Sequence, residues 1–121
     1  MRRDDGVPRV HERMSLRDTI AEMSGKRLGM TTVVDGTGDL VGIITDGDLR
    51  RGLERAEDIR TLVASDLMTR TPKTIERSAL AAQAVAVMER YPITSLVVLE
   101  DATRSPVGVI HLHDVLRAGA L

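Results

Sequence analysis

The chain repeats itself. At an offset of 66 residues, Val41-Gly42 matches Val107-Gly108, Ile44 matches Ile110, Asp48 matches Asp114 and Arg51 matches Arg117. A chain of 121 residues therefore divides into two units of about 60 residues, a size at which one core is marginal and two must share the work. Each half opens on a short extended piece, near Val7 to Val10 and near Pro72 to Ile75. A helix, two strands and a second helix follow. The predicted fold is α+β, with two β-α-β-β-α repeats packed with pseudo-two-fold symmetry. Residues 1–61 hold the first repeat with its linker, and residues 62–121 the second.

Local patterns support each element. Ser15-Leu16-Arg17-Asp18 has the Ser-x-x-acid form of a capping box. Leu16, Ile20 and Met23 then fall on one helical face, and the pattern stops at Ser24-Gly25. Leu80, Ala84, Val87 and Met88 form the corresponding face before Tyr91-Pro92, with Ser78 as its cap. Ser65 is also read as a cap. The β-branched runs from Thr31 and Ser95, and those from Leu40 and Val107, predict strands covered on both faces. Asp35-Gly36-Thr37-Gly38 and Glu100-Asp101-Ala102-Thr103 are the turns between them. Residues Glu54 to Asp66 are a linker with a short helix.

Composition narrows the function. There is no Cys, Trp or Phe, and Tyr91 is the lone aromatic. That leaves an aliphatic core, no disulfide, no thiolate chemistry and no stacking platform for single-stranded nucleic acid. A net charge of −1 argues against general nucleic-acid binding. No apolar run suggests a membrane span or a secretory signal, so the expected location is cytoplasmic. All basic residues except Lys26 and Lys73 are Arg, the better partner for phosphate.

Thr45-x-x-Asp48 is the sharpest motif, and it has two readings. A strand-to-helix junction offers free N–H groups to an anion, and its carboxylate can accept from vicinal ribose hydroxyls. The same spacing is also a capping box. His111-Leu112-His113-Asp114 stands at the matching junction, with His111 in place of the Thr. His111 or His113 can meet a phosphate or carboxylate, or the run can simply start a helix. No third firm metal ligand is visible, so no metal is assigned. Gly29-Met30-Thr31 and Ile93-Thr94-Ser95 stand at matching strand entrances, as cleft linings or as ordinary turns. Arg50, Arg51 and Arg117 are read in the first turns of helices, as anion contacts or as a solvated face. No nucleophile–base–orienter set can be assembled, and the chain is not expected to be an enzyme by itself.

This duplicated unit resembles a pair of cystathionine-β-synthase (CBS) domains. The resemblance is carried by Asp66-Leu67-Met68-Thr69 with Pro72 and Thr74-Ile75, and by the stretches ending in Thr45-Asp46-Gly47-Asp48 and His111-Leu112-His113-Asp114. The runs from Val41 to Arg51 and from His111 to Gly119, with Gly29-Met30-Thr31 and Ile93-Thr94-Ser95, are similar to the C-terminal region of arabinose 5-phosphate isomerases. Members of that family interconvert D-ribulose 5-phosphate and D-arabinose 5-phosphate for synthesis of Kdo, the acidic sugar of Gram-negative lipopolysaccharide. The resemblance implies an N-terminal sugar isomerase (SIS) domain that carries the active site. Nothing in this chain matches that domain, so the chain reads as a regulatory region separated from it.

The resemblance also implies self-association, with paired CBS modules and a tetrameric full-length enzyme. It implies no required cofactor and a nucleotide-type ligand. The ligand is CMP-Kdo, the pathway's activated end product, or else AMP or ATP; a third reading is a ligand-free dimerisation module. The candidate ligand-binding residues are Gly29, Met30, Thr31, Thr45, Asp46, Asp48 and Arg51 in the first repeat. In the second they are Ile93, Thr94, Ser95, His111, His113, Asp114 and Arg117.

Overall fold

The computed structural model describes residues 2–3, 6–26, 29–79, 81–91 and 95–111. The chain forms two compact units, one of Pro8–Thr71 and one of Met1–Val7 with Pro72–Leu121.

In the first of these, β2 (Arg9–His11) leads to α1 (Leu16–Lys26), then to β3 (Met30–Val34), β4 (Leu40–Thr45) and α2 (Asp46–Arg55). This is the expected β-α-β-β-α order. The sheet order is β2-β3-β4, with β2 parallel to β3 and β3 antiparallel to β4. Ser15 caps α1, its hydroxyl accepting from the Asp18 amide at 3.2 Å. The helix does not stop at Ser24-Gly25 but runs on to Lys26. A glycine in the last turn costs a helix little, because few intrahelical bonds remain to be made beyond it.

The core of this unit is aliphatic, as the composition requires. Val10, Met23, Val33, Ile44, Ala64 and Leu67 are buried together, with Met14, Leu16, Leu49 and Leu62 packed against them. Each large side chain buried this way contributes about 1.5–3 kcal/mol. Ile20, expected on the same face as Met23, is instead 36% exposed. Thr19 takes the buried place beside Met23. The expectation of strands covered on both faces holds for β3, where Met30 to Val33 are all buried. It fails for β4, where only Leu40, Gly42 and Ile44 are fully buried and their neighbours are half-buried, the alternation of an edge strand.

The other unit repeats the pattern. β5 (Thr74–Glu76) leads to α4 (Ala81–Arg90), β6 (Ser95–Leu99) and β7 (Pro106–His111). Ala84, Met88 and Leu96 are buried with Ile75, Val87 and Ile110 against them. The Ser78 amide donates to Asp101 at 3.0 Å; Leu80, the first residue of the expected helical face, lies outside the described residues. The repeat is not uniform. Corresponding elements lie 65 residues apart up to β6 and 66 apart from β7, because residues 100–105 form a loop one residue longer than 35–39. Both loops close with the same bond, Asp35 N–H to Asp39 O at 3.0 Å and Glu100 N–H to Ser105 O at 2.9 Å.

The compact units divide at Thr71–Pro72, ten residues beyond the expected boundary of the sequence repeats, and Met1–Val7 belongs to the unit of Pro72–Leu121. Residues 62–71 stay with the unit of the first repeat because their backbone is bonded to it. Ala64 N–H reaches Met14 O at 2.9 Å, Ser65 N–H reaches Glu12 O at 2.9 Å, and Thr69 and Ile43 exchange bonds of 2.8 and 3.0 Å. The short helix α3 (Ala64–Leu67) follows a 3₁₀ turn at Ile59–Thr61. Ser65, read as a cap, lies inside α3; Val63 is the capping position, and its amide is met by the Asp66 carboxylate at 3.0 Å. At the other end of the chain, β1 (Arg2–Arg3) pairs antiparallel with β7, placing Arg2 opposite Val109 and Arg3 opposite Gly108. The sheet order there is β1-β7-β6-β5.

The duplicated glycine now has a reason. A Cβ on Gly42 would lie 2.7 Å from the Thr69 carbonyl oxygen and 2.7 Å from Met68 Sδ. The backbone that covers the edge of β4 leaves no room for a side chain. Gly108 occupies the same place in β7, opposite β1. Gly42→Ala is expected to lower unfolding free energy by roughly 1–3 kcal/mol. Gly36→Ala, in an exposed turn where an added Cβ meets nothing within 4 Å, is expected to stay within about 0.5 kcal/mol of the unaltered chain. Denaturant titration of both variants checks the difference, and equal costs would contradict it.

Candidate ligand-binding site

The site is built at the end of β4. Thr45 is the N-cap of α2, in extended conformation (φ −100°, ψ 170°). Its hydroxyl accepts from the Asp48 amide at 3.2 Å, and the Asp48 carboxylate accepts from the Thr45 amide at 3.0 Å. Both halves of the capping box are therefore present. The carboxylate does more than cap. Oδ2 also accepts from the Thr45 hydroxyl at 3.0 Å. Oδ1 accepts from Arg51 Nη2 at 2.6 Å and from Thr69 Oγ1 at 3.1 Å. Four donors thus converge on a side chain that is only 9% exposed, matching the roughly four acceptor positions of a carboxylate.

Burial pushes the Asp48 pKa up. The hydrogen bonds from the Thr45 amide, Arg51, the Thr45 hydroxyl and Thr69 outweigh it and hold the carboxyl below its ordinary value of 3.8. Asp48 is ionised at neutral pH.

A cleft of about 660 Å³ opens onto this carboxylate. One wall is α2, through Asp48, Arg51 and Arg55, and the other comprises Leu67, Met68 and Thr69. Its polar side chains are the buried carboxylate of Asp48, the exposed carboxylate of Asp66, two guanidinium groups and the hydroxyls of Thr61 and Thr69. Such a lining suits a hydroxylated, charged small molecule.

Of the expected first-repeat residues, Asp48 and Arg51 line this cleft, whereas Gly29, Met30, Thr31, Thr45 and Asp46 meet at the β3–β4–α2 junction outside its lining. Met30 pairs with Thr45 and Thr31 with Ile44 across β3 and β4. The Gly29 carbonyl accepts from the Asp46 amide at 3.1 Å. Gly29 has φ +69°, the left-handed conformation that favours glycine. Met30 and Thr31 are buried, and the Thr31 hydroxyl is spent on the Thr32 carbonyl at 3.0 Å. Arg50 and Arg51, expected in the first turn of α2, lie in its second; only that spacing lets Arg51 reach back to Asp48. In the second repeat, Ser95 and His111 are register partners and both half-buried. Ile93, Thr94, His113, Asp114 and Arg117 lie outside the described residues. Sequence reading missed Thr69 as a partner of Asp48 and Arg55 as a cleft residue. The Leu67-Met68-Thr69 run was visible, but nothing local says that it folds back onto Asp48.

The CBS domain model matches residues 1–55 and 63–121. The chain belongs to the CBS domain family. This CBS pair is 46% identical over 117 residues, 97% of its length, to arabinose 5-phosphate isomerase KdsD of Pseudomonas aeruginosa. It spans 36% of that relative's length. Among solved structures it is similar to the CBS-pair protein CBSX2 of Arabidopsis thaliana in complex with AMP, at TM-score 0.84 and 24% identity, covering 99% of this chain and 92% of that one. It is also similar to the CBS domain pair of protein MJ0100 in complex with 5′-methylthioadenosine and S-adenosyl-L-methionine, at TM-score 0.81 and 23% identity, covering 98% and 92%. Among the described residues, no helix of the CBS pair is long and apolar enough to cross a membrane.

The lowered pKa fixes the sign of a pH effect. Because the folded value lies below the unfolded one, the Asp48 contribution is fully present above about pH 3.8 and is lost as pH falls through the folded value. Asp48→Asn is expected to lower stability by about 1–3 kcal/mol at pH 7. The gap between the variant and the unaltered chain should close in the acid range. Asp35 and Asp58 also have lowered pKa values, but they titrate in both proteins and cancel in the difference. Denaturant midpoints measured from pH 7 to pH 2.5 check this, and a constant gap would contradict it.

Proposed function

We propose that this CBS pair is the metabolite-sensing region of a D-arabinose 5-phosphate isomerase. On this reading it binds an anionic nucleotide-type ligand at Asp48 and controls interconversion of ribulose 5-phosphate and arabinose 5-phosphate by an SIS domain. The observation that carries the reading is the open cleft ending on a buried, ionised carboxylate at a helix N-terminus. That arrangement can accept hydrogen bonds from a ribose and offer guanidinium groups to a phosphate or carboxylate. Identity to KdsD along the chain supports the link to the isomerase, and the solved CBS relatives that hold AMP or adenosyl compounds support a nucleotide-type ligand.

CMP-Kdo is the ligand we favour. It carries a ribose, a phosphate and an acidic sugar, and control by an end product suits an enzyme that feeds its synthesis. His111 replaces the threonine of the first repeat, which fits a ligand other than an adenine nucleotide at the second junction. AMP is the second reading, supported by the AMP complex of CBSX2. Residues 1–61 and 62–121 are the two sequence repeats of the module, and its compact units divide ten residues later, at Thr71–Pro72. It acts in the cytoplasm, paired with a second copy and, in the full enzyme, within a tetramer. Neither a metal nor a cofactor takes part.

Calorimetric titration with CMP-Kdo, AMP, ATP and CMP tests the reading. CMP-Kdo is expected to bind most tightly, with Kd well below ~1 mM. Tighter binding of AMP or ATP favours the second reading. No binding by any of the four below ~1 mM contradicts the sensing role.

A further inference from the structure

The four donors on Asp48 leave no acceptor position open for a ligand. Any hydroxyl that reaches this carboxylate must displace one of them. The Thr45 amide and hydroxyl are the cap of α2. Thr69 is held by its two-way backbone bridge to Ile43, and its short side chain keeps the hydroxyl within reach of Oδ1. Arg51 differs from all three. Its side chain is 51% exposed, it is long, and it lines the open cleft while it donates to Oδ1. It can leave without breaking a cap or a backbone bond.

Leaving has a consequence set by charge. When a neutral hydroxyl replaces Arg51 on Oδ1, the carboxylate keeps only neutral donors and the guanidinium loses its counter-charge. An uncharged ligand therefore gains one hydrogen bond and gives up a charge-assisted one. A ligand that also carries a phosphate or carboxylate gives the displaced guanidinium a new partner in the same cleft.

We propose that Arg51 is a specificity-determining residue that exchanges between Asp48 and the anionic group of the ligand, so that the site admits nucleotides and rejects nucleosides. This rests on the nucleotide reading above. It assigns Arg51 two states, paired with Asp48 in the free site and paired with the ligand's anion in the occupied one. Arg55, one helical turn further on, lines the same cleft and adds positive charge to it, opposed by the carboxylate of Asp66, which also lines it.

The test compares AMP with adenosine, and CMP with cytidine, by calorimetry on the 121-residue chain and on its Arg51→Gln and Arg51→Lys variants. The unaltered chain is expected to prefer nucleotide to nucleoside by at least about tenfold. In Arg51→Gln the nucleoside is expected to bind several-fold more tightly than in the unaltered chain, and the preference to shrink to within about threefold. Arg51→Lys, which keeps the charge, retains the preference. An unchanged or weakened nucleoside affinity in Arg51→Gln overturns the exchange, because a residue that only touches phosphate, or only braces Asp48, would give that result. If the unaltered chain and both variants bind neither nucleotides nor nucleosides, the nucleotide reading fails and the proposal fails with it.

Discussion

Everything in the unit Pro8–Thr71 that could serve a ligand depends on one buried carboxylate. Asp48 closes the capping box of α2, fixes the turn out of β4 through Thr45, and receives the hydroxyl of Thr69 from the segment beyond the linker. A buried charge of this kind is costly unless its acceptor positions are filled. Here they are filled by groups from three different places in the chain, so satisfying the charge also assembles the cleft. Structural and functional readings of Thr45-x-x-Asp48 are therefore not rivals. The cap positions the carboxylate, and the carboxylate is what the cleft presents.

The fold around it follows from duplication and from an aliphatic composition. Neither repeat completes its sheet with its own strands alone. The outer edge of β4 is covered by the backbone at Thr69, and the outer edge of β7 by Arg2–Arg3 at the start of the chain. An uncovered edge is a template for unwanted pairing, and short backbone patches remove it. The patch at Thr69 also explains the glycine at Gly42, where the covering backbone leaves no room for a Cβ. With no Phe or Trp to fill space, Met23 and Met88 take equivalent places in the two cores, adaptable side chains among rigid β-branched ones.

Much of this was legible beforehand. The repeat, the order of elements, the turns and the capping box at Thr45 all have local causes, in periodicity, turn chemistry and residue spacing. What escaped has non-local causes. Arg2-Arg3 has no strand signature, because its conformation comes from pairing with Val109 and Gly108 rather than from its own side chains. The compact units divide beyond the boundary of the sequence repeats because residues 62–71 look like a linker in composition but are tied to Glu12, Met14 and Ile43 by backbone bonds. Ile20 was assigned to the core because a helical face admits several neighbours, and only packing shows that Thr19 fills the place. The contact from Thr69 to Asp48 spans 21 residues and leaves no local trace.

On the proposed function, the Asp48 carboxylate both holds this unit together and receives the ligand. A crystal structure of the chain with CMP-Kdo or AMP tests it most directly. The expected result is a ribose hydroxyl within hydrogen-bond distance of Asp48 Oδ1, the Thr45 and Thr69 bonds retained, and the Arg51 guanidinium moved onto the ligand's anionic group. A ligand bound elsewhere, with the Arg51–Asp48 pair intact, would contradict it.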